Sequence, residues 1–125
     1  MAEEIIPIMR AADALANAEW YERLGFRVVG EHRFGPDFPL YVFLVRGDVH
    51  LHLSEHAGDA TTNTLVYLWV DDVDAVAAEF DVEVAEQPWA REVELTDPDG
   101  RTGSAWAPVA RADPSELIRA GRRAG

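Results

Sequence analysis

At 125 residues the chain has the length of one domain, able to bury about 65–70 % of the surface its unfolded form exposes. Its 23 Asp and Glu against 11 basic residues leave a formal net charge of −12, a field that repels DNA, RNA and anionic lipid and draws in cations. With no cysteine there is neither a disulfide framework nor thiolate metal ligation, and no run approaches the roughly 20 apolar residues of a membrane span.

The first residues, Met1-Ala2-Glu3-Glu4, lack the basic region and apolar run of a signal peptide, so a cytoplasmic location is expected. Ile5 to Met9 is a short apolar run and predicts a strand. Asp13 is placed to cap a helix over Ala14 to Leu24, with Ala14, Ala18, Tyr21 and Leu24 or Leu15 as its buried stripe. Gly25 follows as the left-handed terminator, and Phe26 to His32 predicts a second strand. Phe34-Gly35-Pro36-Asp37-Phe38-Pro39 is a loop.

Leu40 to Val45 and Val49 to Leu53 form a hairpin turned at Arg46-Gly47-Asp48. Period two puts Val49, Leu51 and Leu53 on one face and His50, His52 and Ser54 on the other. After a small, polar linker (Glu55 to Thr62) the pattern restarts. Asn63 to Val70 predicts a strand, and Asp71-Asp72 opens a helix carrying Val73, Val76, Ala77 and Phe80. Short strands are expected at Val82 to Ala85, Arg91 to Leu95 and Thr102 to Ala107, the last two joined by the turn Asp97-Pro98-Asp99-Gly100. Asp113-Pro114-Ser115-Glu116 has the order of a cap, a first-turn proline and an acid, and starts one more short helix. The fold expected is α+β: one domain over 1–125, built as two βαβββ modules (about 4–54 and 63–108) whose curled mixed sheets surround a cleft, with a helical tail over about 113–123.

The segments Trp20-Tyr21-Glu22-Arg23-Leu24-Gly25-Phe26 and Asp97-Pro98-Asp99-Gly100 resemble the vicinal-oxygen-chelate superfamily, which holds glyoxalase I, extradiol dioxygenases, fosfomycin-resistance enzymes and bleomycin-resistance proteins. Asn63 to Val70 and Glu86-Gln87-Pro88-Trp89-Ala90-Arg91-Glu92 are most similar to the bleomycin-resistance proteins. Two features depart from that pattern. The stretch between the second helix and Glu86 is short, and the tail after Pro108 has no counterpart.

The resemblance implies where the superfamily's metal ligands would fall: Ile6 or Pro7, Leu65 and Ser104. None is a credible ligand for Zn, Fe, Mn or Mg, so no cofactor is expected. His50 and His52, at i and i+2, are the residues that could hold an ion elsewhere; equally, they line a cleft or face solvent. Ser54 and Ser104 have no spaced His and Asp partners, no Gly-rich phosphate loop is present, and no catalysis is expected. Arg91-Glu92 is read as a buried charge pair.

If Leu65 faces the cleft, Tyr67 and Trp69 share its face. The resemblance implies that aromatic residues of this strand stack on ligand. Trp89 after Pro88, Phe34 and Phe38 on their loop, and Ser54 on the face of His50 and His52 are further candidates to line the site, with Glu92 adding charge. Together these residues suit a flat cationic small molecule of the bleomycin type, sequestered without modification by a homodimer. The alternatives are a metal-dependent lyase or dioxygenase with its site moved to His50 and His52, and a binder of an unrelated small molecule.

Overall fold

The structure is a computed structural model that describes residues 3–60, 64–99 and 104–111, with backbone alone at 64 and 104–111. Of these, the residues up to 64 with 96–104 make one compact unit, and 65–95 with those from 105 make a second.

In the first unit, β1 (Ile8–Arg10), α1 (Ala14–Arg23), β2 (Arg27–His32), β3 (Tyr41–Arg46) and β4 (Val49–Ser54) follow one another. Their sheet has the order β1-β4-β3-β2, with β1 parallel to β4 and the other pairs antiparallel. The first strand lies later than the apolar run suggests, because its ladder pairs Ile8 with His52 and Arg10 with Ser54. Asp13 caps α1, its carboxylate accepting from the Ala16 amide at 3.1 Å. Gly25 follows with φ +93°. A Cβ there would stand 2.6 Å from Nη1 of Arg46, whose guanidinium donates to the Leu24 carbonyl. The backbone angle is what demands glycine, since the close approach meets only the flexible end of the Arg46 side chain.

The helix packs on β2, β3 and β4. Ala14, Ala18, Tyr21 and Leu24 are buried on it, whereas Leu15 is exposed. The sheet answers with Val42, Leu44, Leu51 and Leu53, all fully buried; each such side chain contributes about 1.5–3 kcal/mol of apolar burial. Asn17 is also buried in this stripe, and its amide donates to the Asp99 carboxylate. The same carboxylate accepts from the Ala12 amide, and Tyr21 Oη donates to Asp97 at 2.7 Å. The Asp97-Pro98-Asp99 turn is thus pinned by two donors of α1, Asn17 and Tyr21, and by the Ala12 amide just before it. An asparagine on an apolar stripe makes sense only because its partner, 82 residues away in sequence, comes beside it.

The second unit contains β5 (Thr64–Trp69), α2 (Val73–Phe80), β6 (Ala85–Glu86) and β7 (Ala90–Glu92), with β8 (Leu95–Thr96) and β9 (Ser104–Arg111) completing its sheet. The order is β5-β9-β7-β6, with β8 beside β9. It repeats the first order, so the chain is α+β with two strand–helix–strand–strand–strand modules. Asp72 caps α2 by accepting from the Ala75 amide, and Asp81 closes it at φ 53°, a left-handed residue that aspartate tolerates.

In the second unit three more strands differ from the sequence expectation. The strand expected over Arg91 to Leu95 is two short ones, broken at Val93-Glu94. The strand expected over Val82 to Ala85 starts only at Ala85. The last strand continues past Pro108 to Arg111, where Val109, Ala110 and Arg111 pair with Glu92, Arg91 and Ala90. Proline lacks a ladder donor and so reads as a strand end, but here the pairing with β7 begins one residue beyond it. The helix expected from Asp113 lies outside the described residues, as does Gly100 of the turn.

Candidate functional site

The helix-free face of the first sheet carries His50, His52 and Ser54, as their alternation requires. The register sets His52 beside Phe43, Ser54 beside Tyr41 and His50 beside Val45. His52 Nδ1 lies 2.8 Å from Tyr41 Oη, and its ring meets those of Phe43 and Tyr41 at 4.7 and 5.2 Å between centroids. Burial, with the neighbouring His50 second, holds the His52 pKa below the ordinary imidazole value.

A divalent ion is poorly served here. One nitrogen of His52 is taken by Tyr41. The β1 residue beside His52 is Ile8, as apolar as the expected position at Ile6 or Pro7. Among the described residues no three His, Asp or Glu side chains gather into a metal-holding group. The donor set on this face does not fit a resident metal.

At the β2 end of the same face lies a pocket of about 480 Å³. Its rim is Phe34, Phe38 and Pro39 from the loop expected from sequence, with His32 beside them; its floor is Tyr41 and Ser54. The segment after β4 closes it with His56 and Asp59. Ser54 is fully buried, and its hydroxyl donates to Asp59 at 2.7 Å while accepting the His56 amide at 3.1 Å. Ser54 thus folds the loop, and its hydroxyl is committed before any ligand arrives.

In the second unit, Leu65, Tyr67 and Trp69 occupy one face of β5 and are 60, 50 and 43 % exposed, whereas the alternate residues Leu68 and Val70 are buried. Tyr67 Oη donates to Glu92 Oε2 at 2.9 Å and Gln87 Nε2 donates to its Oε1 at 3.3 Å. That bond, then burial and the charge of Glu92, raise the Tyr67 pKa. Trp89 sits in the two-residue tip Pro88-Trp89 of the β6–β7 hairpin, closed by Gln87 and Ala90 in both directions, and it is 43 % exposed.

Arg91 and Glu92 are not a pair. Consecutive strand residues point to opposite faces. Arg91 instead holds Asp74 of α2 with two bonds, at 2.8 and 3.0 Å, and Glu86 at 2.9 Å, all partly exposed. These partners raise its pKa and lower that of Asp74.

The site residues named from sequence therefore fall into two groups. Phe34, Phe38, His50, His52 and Ser54 belong to the first unit; Leu65, Tyr67, Trp69, Trp89 and Glu92 belong to the second. Sequence reasoning passed over Tyr41, Asp59 and Gln87. Tyr41 had a signal, since period two aligns it with Phe43 across from the histidines. Asp59 had none, because its meeting with Ser54 depends on a loop closure.

Fold and exposed faces together describe a protein of two βαβββ modules with an exposed aromatic strand face. Residues 1–100 match a family model described as a glyoxalase superfamily protein, and the chain belongs to that superfamily. No curated protein matches the sequence. Among solved structures the fold is similar to a bleomycin-binding protein complexed with bleomycin, at TM-score 0.67 and 22 % identity over 89 % of this chain and 100 % of that one. It is also similar to a bleomycin resistance determinant encoded on the transposon Tn5 (TM-score 0.69, 22 % identity, 90 % of this chain and 100 % of that one). A fosfomycin resistance protein, FosX from Listeria monocytogenes, complexed with Mn(II) and sulfate, is similar too, at TM-score 0.68 and 11 % identity over 95 % of this chain and 98 % of that one.

Proposed function

We propose that the protein sequesters a flat cationic antibiotic of the bleomycin type, as a homodimer and without altering it. The observation that carries this is the exposed stripe Leu65, Tyr67 and Trp69, whose neighbour Glu92 is held in place by Tyr67 and Gln87. Side chains of this size left open on one strand face mark a contact surface. A cation over such rings gains about 0.5–2 kcal/mol. The net charge of −12 adds long-range attraction for a cation. Similarity of fold to bleomycin-binding proteins supports the choice of ligand.

Titration with metal-free bleomycin tests it. Tryptophan emission should be quenched with sub-micromolar affinity, and binding should weaken as salt shortens the screening length to about 8 Å at physiological strength. Trp69→Ala should cost about 1–3 kcal/mol of binding, as loss of one stacking platform does elsewhere. Absence of heat and of quenching at high micromolar bleomycin would reject the ligand. A tightly held Zn, Fe or Mn ion, one per chain and lost on changing His50 or His52, would reject the metal-free reading in favour of a lyase or dioxygenase.

A further inference from the structure

We infer that Glu55 is a positioning residue of the ligand site: its carboxylate straps the loop of residues 33–40 to the start of α1 and so fixes where Phe34 and Phe38 stand. The role belongs to the proposed binding function and rests on it, with the two phenylalanines as ligand contacts.

The end of the β3–β4 ladder shows what this side chain does. The last strand pair is Tyr41 with Ser54. One step further the Glu55 amide donates to the Leu40 carbonyl at 3.0 Å, as another rung requires. The return bond does not go to the Glu55 backbone. The Leu40 amide donates instead to Glu55 Oε1 at 3.0 Å, so a carboxylate oxygen takes the place of a ladder carbonyl. The chain beyond Glu55 is thereby released into a turn, in which the Asp59 amide donates to the His56 carbonyl at 3.1 Å. The other oxygen, Oε2, accepts from the Ala14 amide at 2.9 Å. Ala14 opens α1, where the first amides have no partner within the helix and favour negative charge. One half-buried side chain therefore joins the end of β4, the end of the loop and the start of the helix. The task suits a carboxylate. Glutamine has one acceptor oxygen and would set an NH2 group against the second amide.

The loop needs such a strap because its rings do not anchor it. Phe34 is 83 % exposed and Phe38 56 %, so burial stabilises neither by much. Within the loop the Phe38 amide donates to the Gly35 carbonyl at 3.1 Å, and the Phe38 ring lies against Gly35, where a Cβ would meet it at 3.1 Å. These contacts shape the loop without attaching it. Attachment comes at its ends, through His32 paired with Tyr41 and through Leu40, which is buried. The amide of a buried residue requires an acceptor, so losing the carboxylate at Leu40 obliges the chain next to Phe38 to move. Rings already in place when a ligand arrives bind it without the cost of ordering them.

The test compares the full-length wild type with Glu55→Gln and with Leu51→Ala, a control whose lost packing lies between the sheet and α1, at a temperature where all three are folded. Amide NMR signals are recorded without ligand, and quenching is then titrated with metal-free bleomycin. In Glu55→Gln the signals of Phe34, Gly35, Asp37 and Phe38, none of them bonded to Glu55, should move towards random-coil positions, while those of residues 42–46 and 49–53 hold. Its affinity for bleomycin should fall about five- to tenfold, the cost of ordering the two rings again on binding. Leu51→Ala should bind as the wild type does, although it is less stable. Unmoved loop signals in Glu55→Gln, or an affinity equal to that of a binding wild type, would overturn the positioning role. An equal loss of affinity in Leu51→Ala would do the same, by tracing both losses to stability. Should the wild type bind no bleomycin, the proposed ligand falls, and the loop signals alone decide the role of Glu55.

Discussion

Tyr21 sits fully buried with its hydroxyl 2.7 Å from the buried carboxylate of Asp97. Removing only that hydroxyl, in Tyr21→Phe, keeps the ring and deprives a buried charge of a donor. The expected loss is about 1.5–3 kcal/mol by chemical denaturation, since bonds to charged groups in dry surroundings sit at the high end. An unchanged midpoint would mean that water replaces the donor. The helix stripe made Tyr21 legible as a core residue, but nothing in the local sequence says that its hydroxyl answers an aspartate of a distant turn.

His52 carries a pH dependence of definite sign. Its folded pKa is depressed, so the unfolded chain binds the proton more readily. Stability should be unaffected by this group above the ordinary imidazole pKa of about 6.5. It should fall as pH drops from there towards the lower folded value. Thermal melts between pH 8 and 5 should show that decline, and His52→Gln should flatten it. A melting temperature that rises on acidification would contradict the assignment.

The β6–β7 hairpin is only two and three residues long on its arms, too short to hold its tip by ladder bonds alone. Arg91 compensates by joining Glu86 of one arm to Asp74 of α2. Replacing it by Met should speed amide exchange at Gln87 and Ala90, which close the tip beneath Trp89, with little change in global melting. Added salt should move the wild type partway towards the variant. By contrast, Leu51→Ala on β4 removes a fully buried side chain between sheet and α1 and should cost about 2–5 kcal/mol. The first hairpin was plain in the sequence because its alternation is long and clean. The second was blurred, since runs of two or three residues carry too little period to separate strand from bend.

The assembled molecule is expected to run at about 28 kDa, two chains of 13.9 kDa, in keeping with the twofold pairs common among soluble oligomers. Light scattering at micromolar concentration measures this directly, and a monomer would contradict the homodimer.

Composition and periodicity alone settled the α+β class, the doubled strand–helix–strand–strand–strand order, the helix caps at Asp13 and Asp72, the left-handed Gly25 and the shared face of Leu65, Tyr67 and Trp69. All are local: a cap, a turn or an alternating face is written in neighbouring residues. Tertiary structure alone decided the partners. Arg91 meets Asp74 and Glu86 instead of Glu92, Asn17 is buried to meet Asp99, Ser54 is spent on Asp59, and the strand runs on past Pro108. Each of these pairs polar groups or ladder bonds between segments distant in sequence or across a loop. Which donor reaches which acceptor is set by the closed chain, since burial penalises any left unmade.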